Sequence, residues 1–485
     1  MVKGAAMKFK VLMMALLAAV AAAAAKVIDI SKEHPRYFVE GATGKTWIPI
    51  GVNLCFDRWS QNDADTRAKY ERWLRDFAAN GGNSIRLWCG HTSLEVMPRT
   101  PGEWDAEKTR TIQHIMRLCE ELGIKVKFTL ESFRYIRPAK PDVRPVVQDA
   151  NVFRIGDLFN RPLFIPYAKN VPEFFKSPRC REIYLQKAEY LGKTLGFADS
   201  SALYCWELWN EINCCGTIRQ WDEWARWAMP ELKRRFPKQL VVNNLGSFSE
   251  TTSFRKYDVL AAERDNDFME IHRYLDGRSN HEACKGPMDL IAASAVRELL
   301  PRTSGPVVVA EIGAVEPGHA GPSRLYAKDK DGTLLHDALF ASFFCGAAGC
   351  GQFWHWDGYY IARNQLWWQF RRFAEAIAGV DPVAERFQPF YTESRQLRFY
   401  GLRGKKTTLI WCRDKRCDWR SELADGKAPE TISSVRLPIH GCTFECYNPW
   451  TDKHTRIAAP KLPPFKRSLV IKLPTSAIDA IIDHW

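Results

Sequence analysis

Trp206-Glu207-Leu208-Trp209-Asn210-Glu211-Ile212 is the stretch from which the fold of this chain is read. It alternates, it is rich in aromatics, and it closes on an Asn-Glu pair, as a buried strand with a polar tip would. A carboxyl group at the C-terminal tip of a strand is where an α/β barrel keeps its chemistry. Val307-Val308-Val309-Ala310 ends in Glu311 in the same way. Two carboxylates delivered by two strand ends are the minimal equipment for hydrolysing a glycosidic bond.

Outward from that stretch, strand and helix patterns alternate, as in a parallel α/β fold. Gly51-Val52-Asn53-Leu54 predicts strand one, Ser84 to Trp88 strand two, Ile124 to Leu130 strand three. Strand four is the opening stretch. Leu240 to Asn243, Phe268 to His272, Val307 to Ala310 and Gly351 to Trp356 predict strands five to eight. Between them lie helical repeats such as Tyr70, Trp73, Leu74 and Phe77, stopped by Gly81-Gly82. Ser177-Pro178 reads as a helix cap and first residue. The fold class expected is therefore a (β/α)8 TIM barrel over residues 26–385, opened by an N-terminal hairpin. Short strands with turn signals over 386–485 predict a small C-terminal β-sandwich. The long irregular segment 131–176 carries Phe133, Tyr135, Phe153 and Phe159 and reads as a folded cleft wall.

The 485 residues carry a net charge of +13, but Lys and Arg are spread along the chain and no nucleic-acid motif is present. An anionic glycan stays open as a partner; nucleic acid does not. Residues 1–25 read as a signal peptide: Lys3, Lys8 and Lys10 precede an apolar run from Val11 to Ala25. The run is short for a membrane span, so an exported protein, secreted or periplasmic, is expected without stable membrane insertion. Of the 14 cysteines, Cys412 and Cys417 are spaced to bridge a hairpin, and most others read as buried free thiols. His281-x-x-Cys284 is too little for a zinc site, and no metal or cofactor is expected.

Asn210-Glu211, His272-x-Tyr274, Glu311 and Gly351-x-Phe353-Trp354-x-Trp356 together resemble the retaining clan A glycoside hydrolases, family 5 above all. Within that family the motifs are most similar to the endo-β-1,4-mannanase and cellulase pattern, over roughly 45–380. The resemblance implies Glu211 as general acid/base and Glu311 as nucleophile. It implies Asn210 on the sugar 2-hydroxyl, Tyr274 donating to Glu311, and Arg86 beneath that carboxylate. His272 would line the site, and Trp354 or Trp356 would stack under the sugar. Glu131, at the tip of strand three, is a candidate sugar contact or a competitor for the acid role. Glu207 shares a side with Glu211 and reads as an interior, paired acid. Ile212 and Glu131-Ser132-Phe133 depart from the family pattern where the sugar is chosen. The activity implied is a retaining β-glycosidase on a polysaccharide or oligosaccharide. An exo-acting β-mannosidase or β-galactosidase is the alternative, and a non-catalytic glycan-binding barrel the rival from another class.

Overall fold

A computed structural model describes residues 25–132, 163–164, 166–246, 254–433, 435–437, 442–458 and 460–478. The leader expected over 1–25 falls almost wholly outside the described residues, as does most of the cleft wall expected within 131–176.

Three short strands open the chain: β1 (Ile28–Ile30), β2 (Phe38–Glu40) and β3 (Thr46–Trp47), paired antiparallel in that order. They carry Phe38 and Trp47 onto Phe268 and Tyr204, so this small sheet covers the N-terminal ends of the strands that follow.

Five parallel strands then form one sheet: β4 (Gly51–Asn53), β5 (Ser84–Trp88), β6 (Lys125–Ser132), β7 (Leu203–Asn210) and β8 (Leu240–Val242). β9 (Met269–Leu275) and β10 (Val307–Ala314) form a second, parallel pair. Side chains join the two sheets. Asp267 N–H reaches Val241 O at 2.9 Å while the Asp267 carboxylate takes Val241 N–H at 2.7 Å. Asn266 Oδ1 accepts from Asn243 N–H at 2.9 Å. On the other side the expected strand eight shrinks to single bridges, Phe353 pairing with both Ile312 and Val52. The reason is local. Asn53 Nδ2 donates to the carbonyls of Ala310 and Gln352, filling the seam with a side chain. Beyond Phe353, Trp354 and Trp356 pack onto Phe56.

The helices follow their sequence signals. Asp63–Ala79 is capped by Asn62 and buries Tyr70, Trp73, Leu74 and Phe77. Gly82 lets the Phe77 ring lie where a Cβ would stand, 2.2 Å from its nearest atom. Ser177 caps Pro178–Glu189, and Thr217 with Gln220 forms a capping box on Ile218–Arg235. Thr333–Phe344 is buried on every face, which a helix apolar all round requires. No helix among the described residues is long and apolar enough to cross a membrane.

The reason for that burial is the C-terminal region. β11 (Gln388–Glu393), β12 (Leu397–Arg403), β13 (Thr407–Asp414), β14 (Phe444–Asn448), β15 (Lys453–Ile457) and β16 (Ser468–Pro474) form one antiparallel sheet, ordered β11-β12-β13-β16-β14-β15. Its inner face sets Tyr400 and Trp411 toward the Thr333–Phe344 helix. Arg413 grips Asp337 of that helix at 2.7 and 3.0 Å, and Arg398 grips Asp289 at 2.6 and 3.1 Å. Where the sequence predicts a two-sheet sandwich, the described residues show one sheet. Its outer face is covered by chain around Ile432, Leu437, Leu462 and Phe465, where isolated bridges pair Ile432 with Phe465 and Arg436 with Lys461.

The expected Cys412–Cys417 bridge is not formed. Cys412 lies in the outer core with Cys446, while Cys417 turns to the Asp414 carboxylate.

Candidate active site

β7 ends at Asn210, and Glu211 steps off it into the left-handed region at φ 58°, ψ 52°. Glu311 lies inside β10, where a register shift between Val309 and Glu311 turns its side chain. The two carboxylates meet. One oxygen of each lies within 4.8 Å of the other and of a His272 ring nitrogen. His272 Nδ1 is 2.9 Å from Glu211 Oε1 and 3.4 Å from Glu311 Oε2. Both acids are nearly enclosed, Glu211 8% and Glu311 3% exposed.

Their surroundings differ. Tyr274 donates its hydroxyl to Glu311 Oε2 at 2.6 Å, and Arg86 Nη1 pairs with Glu311 Oε1. Two donors thus hold that carboxylate, one on each oxygen. Burial and the Glu311 charge push the Tyr274 phenol well up, so it stays a donor. Glu211 instead faces His272, and its backbone N–H is taken by the side chain of Asn244.

Arg86 is fully buried and organises the floor. Besides Glu311 it binds Glu207 through Nε at 2.7 Å and through Nη2, and Asn210 Oδ1 at 2.8 Å. Lys127 adds a second cation, paired with Glu270 and 3.2 Å from Glu207. Burial alone would raise the Glu207 carboxyl, but the Arg86 and Lys127 charges outweigh it and hold it at about 2. Glu207 is thus an interior, paired acid.

Glu207 and Asn210 both reach Arg86, so strict alternation fails between them. The β6–β7 register is constant here, pairing Thr129↔Glu207, Glu131↔Trp209 and Ser132↔Asn210. Trp209 packs outward on Phe174, Phe175 and Trp224. Glu131 sits beside it and is held by Lys187 at 2.5 Å, which also pairs with Glu95. The structure places the Glu131 carboxylate in an ion-pair network with the Pro178–Glu189 helix. The two tryptophans expected near the sugar, Trp354 and Trp356, differ: the burial is greater at Trp356. Trp356 is fully enclosed, whereas Trp354 is 8% exposed and stands at right angles to it. Trp354 connects through Trp88 to Arg86.

Three residues of the floor escape a reading of strand tips: Lys127, Glu270 and Asn244. Lys127 between Val126 and Phe128, and Glu270 between Met269 and Ile271, are lone charges inside strands buried on both faces. Such charges need a buried partner, and that was the available signal. The atoms of Glu211, His272 and Glu311 are close enough together to hold a cation, but both oxygens of Glu311 are already engaged by Arg86 and Tyr274.

No protein-family model matches the chain, and no curated protein matches it in sequence. Solved structures match it in shape. A glycoside hydrolase aligns over 94% of this chain and 98% of its own, with a TM-score of 0.58 and 13% identity. A glycoside hydrolase family 5 protein from Bacteroides vulgatus aligns over 94% and 95%, with a TM-score of 0.56 and 13% identity. The fold is that of family 5 glycoside hydrolases. A more remote alignment, with an endo-β-1,4-mannanase from Thermotoga petrophila, covers 88% and 98% at a TM-score of 0.49 and 14% identity. Within this family 5 fold, the two carboxylates stand on the fourth and the seventh parallel strands in chain order.

Proposed function

We propose that the chain is a retaining β-glycoside hydrolase whose parallel strands form an eight-membered (β/α)8 barrel, Phe353 marking the eighth position. The observation that carries this is the pair Glu211 and Glu311, an oxygen of each within 4.8 Å of the other. Retaining enzymes hold their carboxyls about 5–5.5 Å apart, and inverting ones leave room for a water. The asymmetry assigns the roles. Glu311, held between Arg86 and Tyr274, attacks the anomeric carbon. Glu211 protonates the leaving oxygen, then takes a proton from the water that releases the sugar. Arg86 occupies Asn210 Oδ1, which leaves the Asn210 amide N–H groups for the sugar 2-hydroxyl. His272 lines the reacting sugar and Trp354 is its stacking face.

For substrate, the sequence resemblance supports a β-1,4-linked mannan cut internally, with exo action on β-mannosides as the second reading. Export is part of the proposal, resting on residues 1–25. Glu311→Ala should abolish turnover of dinitrophenyl β-mannoside and of mannan, and full retained activity would overturn the assignment. Product sizing on mannan, glucan and xylan separates endo from exo action and names the sugar.

A further inference from the structure

Only one of the two proposed catalytic acids has a strained backbone. Glu211 is a non-glycine residue at φ 58°, a conformation that persists only where the surroundings impose it. Here they do so through Asn244. The β7–β8 ladder ends at the pair Glu207↔Val242. Two residues further, Asn244 replaces it. Its Oδ1 accepts Glu211 N–H at 2.8 Å, and its main-chain carbonyl accepts Ile212 N–H at 3.4 Å. Its Nδ2 donates to Glu207 Oε1 at 2.5 Å and to Glu270 Oε2 at 3.4 Å. An acceptor task at one end and donor tasks at the other fix which way the amide faces. The chain after it is shaped to the same turn. A Cβ on Gly246 would stand 3.3 Å from Glu211 Cβ and 3.0 Å from Cys214 Sγ, and Gly246 N–H closes onto Asn213 Oδ1 at 2.5 Å.

We propose that Asn244 is a positioning residue for proton transfer: it holds the Glu211 turn so that the carboxyl reaches the leaving oxygen, while Glu311 is held independently by Arg86 and Tyr274. The inference rests on Glu211 being the acid/base of the proposed function. Without Asn244 the turn relaxes toward negative φ and the carboxyl swings away. A displacement of about 1 Å costs about 10²-fold in rate. Glu207 would still keep Arg86 and Lys127, so the nucleophile's floor survives.

This gives a signature that a merely structural role would not produce. A dinitrophenolate leaves without protonation; a methoxyphenolate needs it. Asn244→Ala should lower kcat/KM on a methoxyphenyl β-mannobioside about 30-fold or more, and on the dinitrophenyl analogue only a few-fold. Added azide, which attacks without a general base, should raise turnover of the dinitrophenyl substrate by the variant. Asn244→Asp has the same shape. Protonated beside Glu207 and Glu270, with Arg86 and Lys127 beyond them, it offers the same acceptor and donor, so it should recover most of the loss at the acidic end of the profile. Equal losses on both leaving groups, or none, overturn the proposal. Mannosyl and glucosyl fluorides bearing a second fluorine on the ring, followed by intact mass, separate the two levels. An unlabelled wild type counts against the glycosidase reading itself. A labelled wild type with an unlabelled Asn244→Ala that still melts cooperatively counts against Asn244 acting on the acid alone. If Asn244→Ala does not fold, Asn244→Asp carries the test.

Discussion

Two of the places where the described residues bury arginine against carboxylate are built on opposite plans. Under the proposed site, Arg86 and Lys127 face Glu207, Glu270 and Glu311 in one connected floor. At the wall between the Thr333–Phe344 helix and the C-terminal sheet, Arg413 faces Asp337 with Asp289 nearby. Glu207 has two cations and is held at about 2; Asp337 has one direct cation and an acidic neighbour, and burial pushes it up to about 7. Burial is the same in both. What differs is whether the cations outnumber the desolvation they must offset. The floor is an anion holder with a carboxylate, Glu311, left at its rim. The wall is a closed pair that gains geometry more than charge.

The largest effect should separate the two arginines. Arg86→Ala leaves Glu207, Glu270 and Glu311 with Lys127 alone, and should cost about 3–5 kcal/mol of stability and abolish turnover, read by denaturant titration and by kcat. Arg413→Ala leaves an acid that already holds a proton near neutrality, so the expected loss is smaller, about 1–3 kcal/mol, with kcat/KM unchanged. Equal losses would erase the distinction.

Acid titration sharpens it. Glu207 sits at about 2 when folded against an ordinary 4.5. Its contribution, about 3 kcal/mol, is fully present above pH 4.5 and is lost as pH falls toward 2. Glu207→Gln should therefore flatten the stability profile in that window. Asp337 runs the other way. Raised from 3.8 to about 7, it binds a proton more tightly folded than unfolded, so stability declines as pH rises from 3.8 to 7. Asp337→Asn should remove that decline, seen as a melting temperature that no longer drops across the interval.

Strand tips were legible because the carboxylates, His272, Tyr274 and Arg86 each close an apolar run. All of them meet in the structure. What the sequence hid lies between strands. That Glu207 and Asn210 both reach Arg86 while Trp209 packs outward leaves no mark on local alternation. Asn244 follows a three-residue strand, and its value depends on a φ that only tertiary contact reveals. Strand eight reads as six residues, but Asn53 supplies part of its bonding from a neighbour, so Phe353 alone pairs. Short C-terminal strands spaced by turns cannot tell one six-stranded sheet from two stacked ones. Cys412 and Cys417 have a hairpin's spacing, but they face different sides of it.

The Thr333–Phe344 helix has no side of its own that meets water. Its outer wall, β12, β13 and β16, is encoded well downstream of it. As the chain leaves a ribosome or a translocation pore, this helix exists before anything can cover it. A sheet that emerges after the helix is the part that makes it safe from aggregation, and a premature stop within that sheet would leave a sticky apolar rod uncovered.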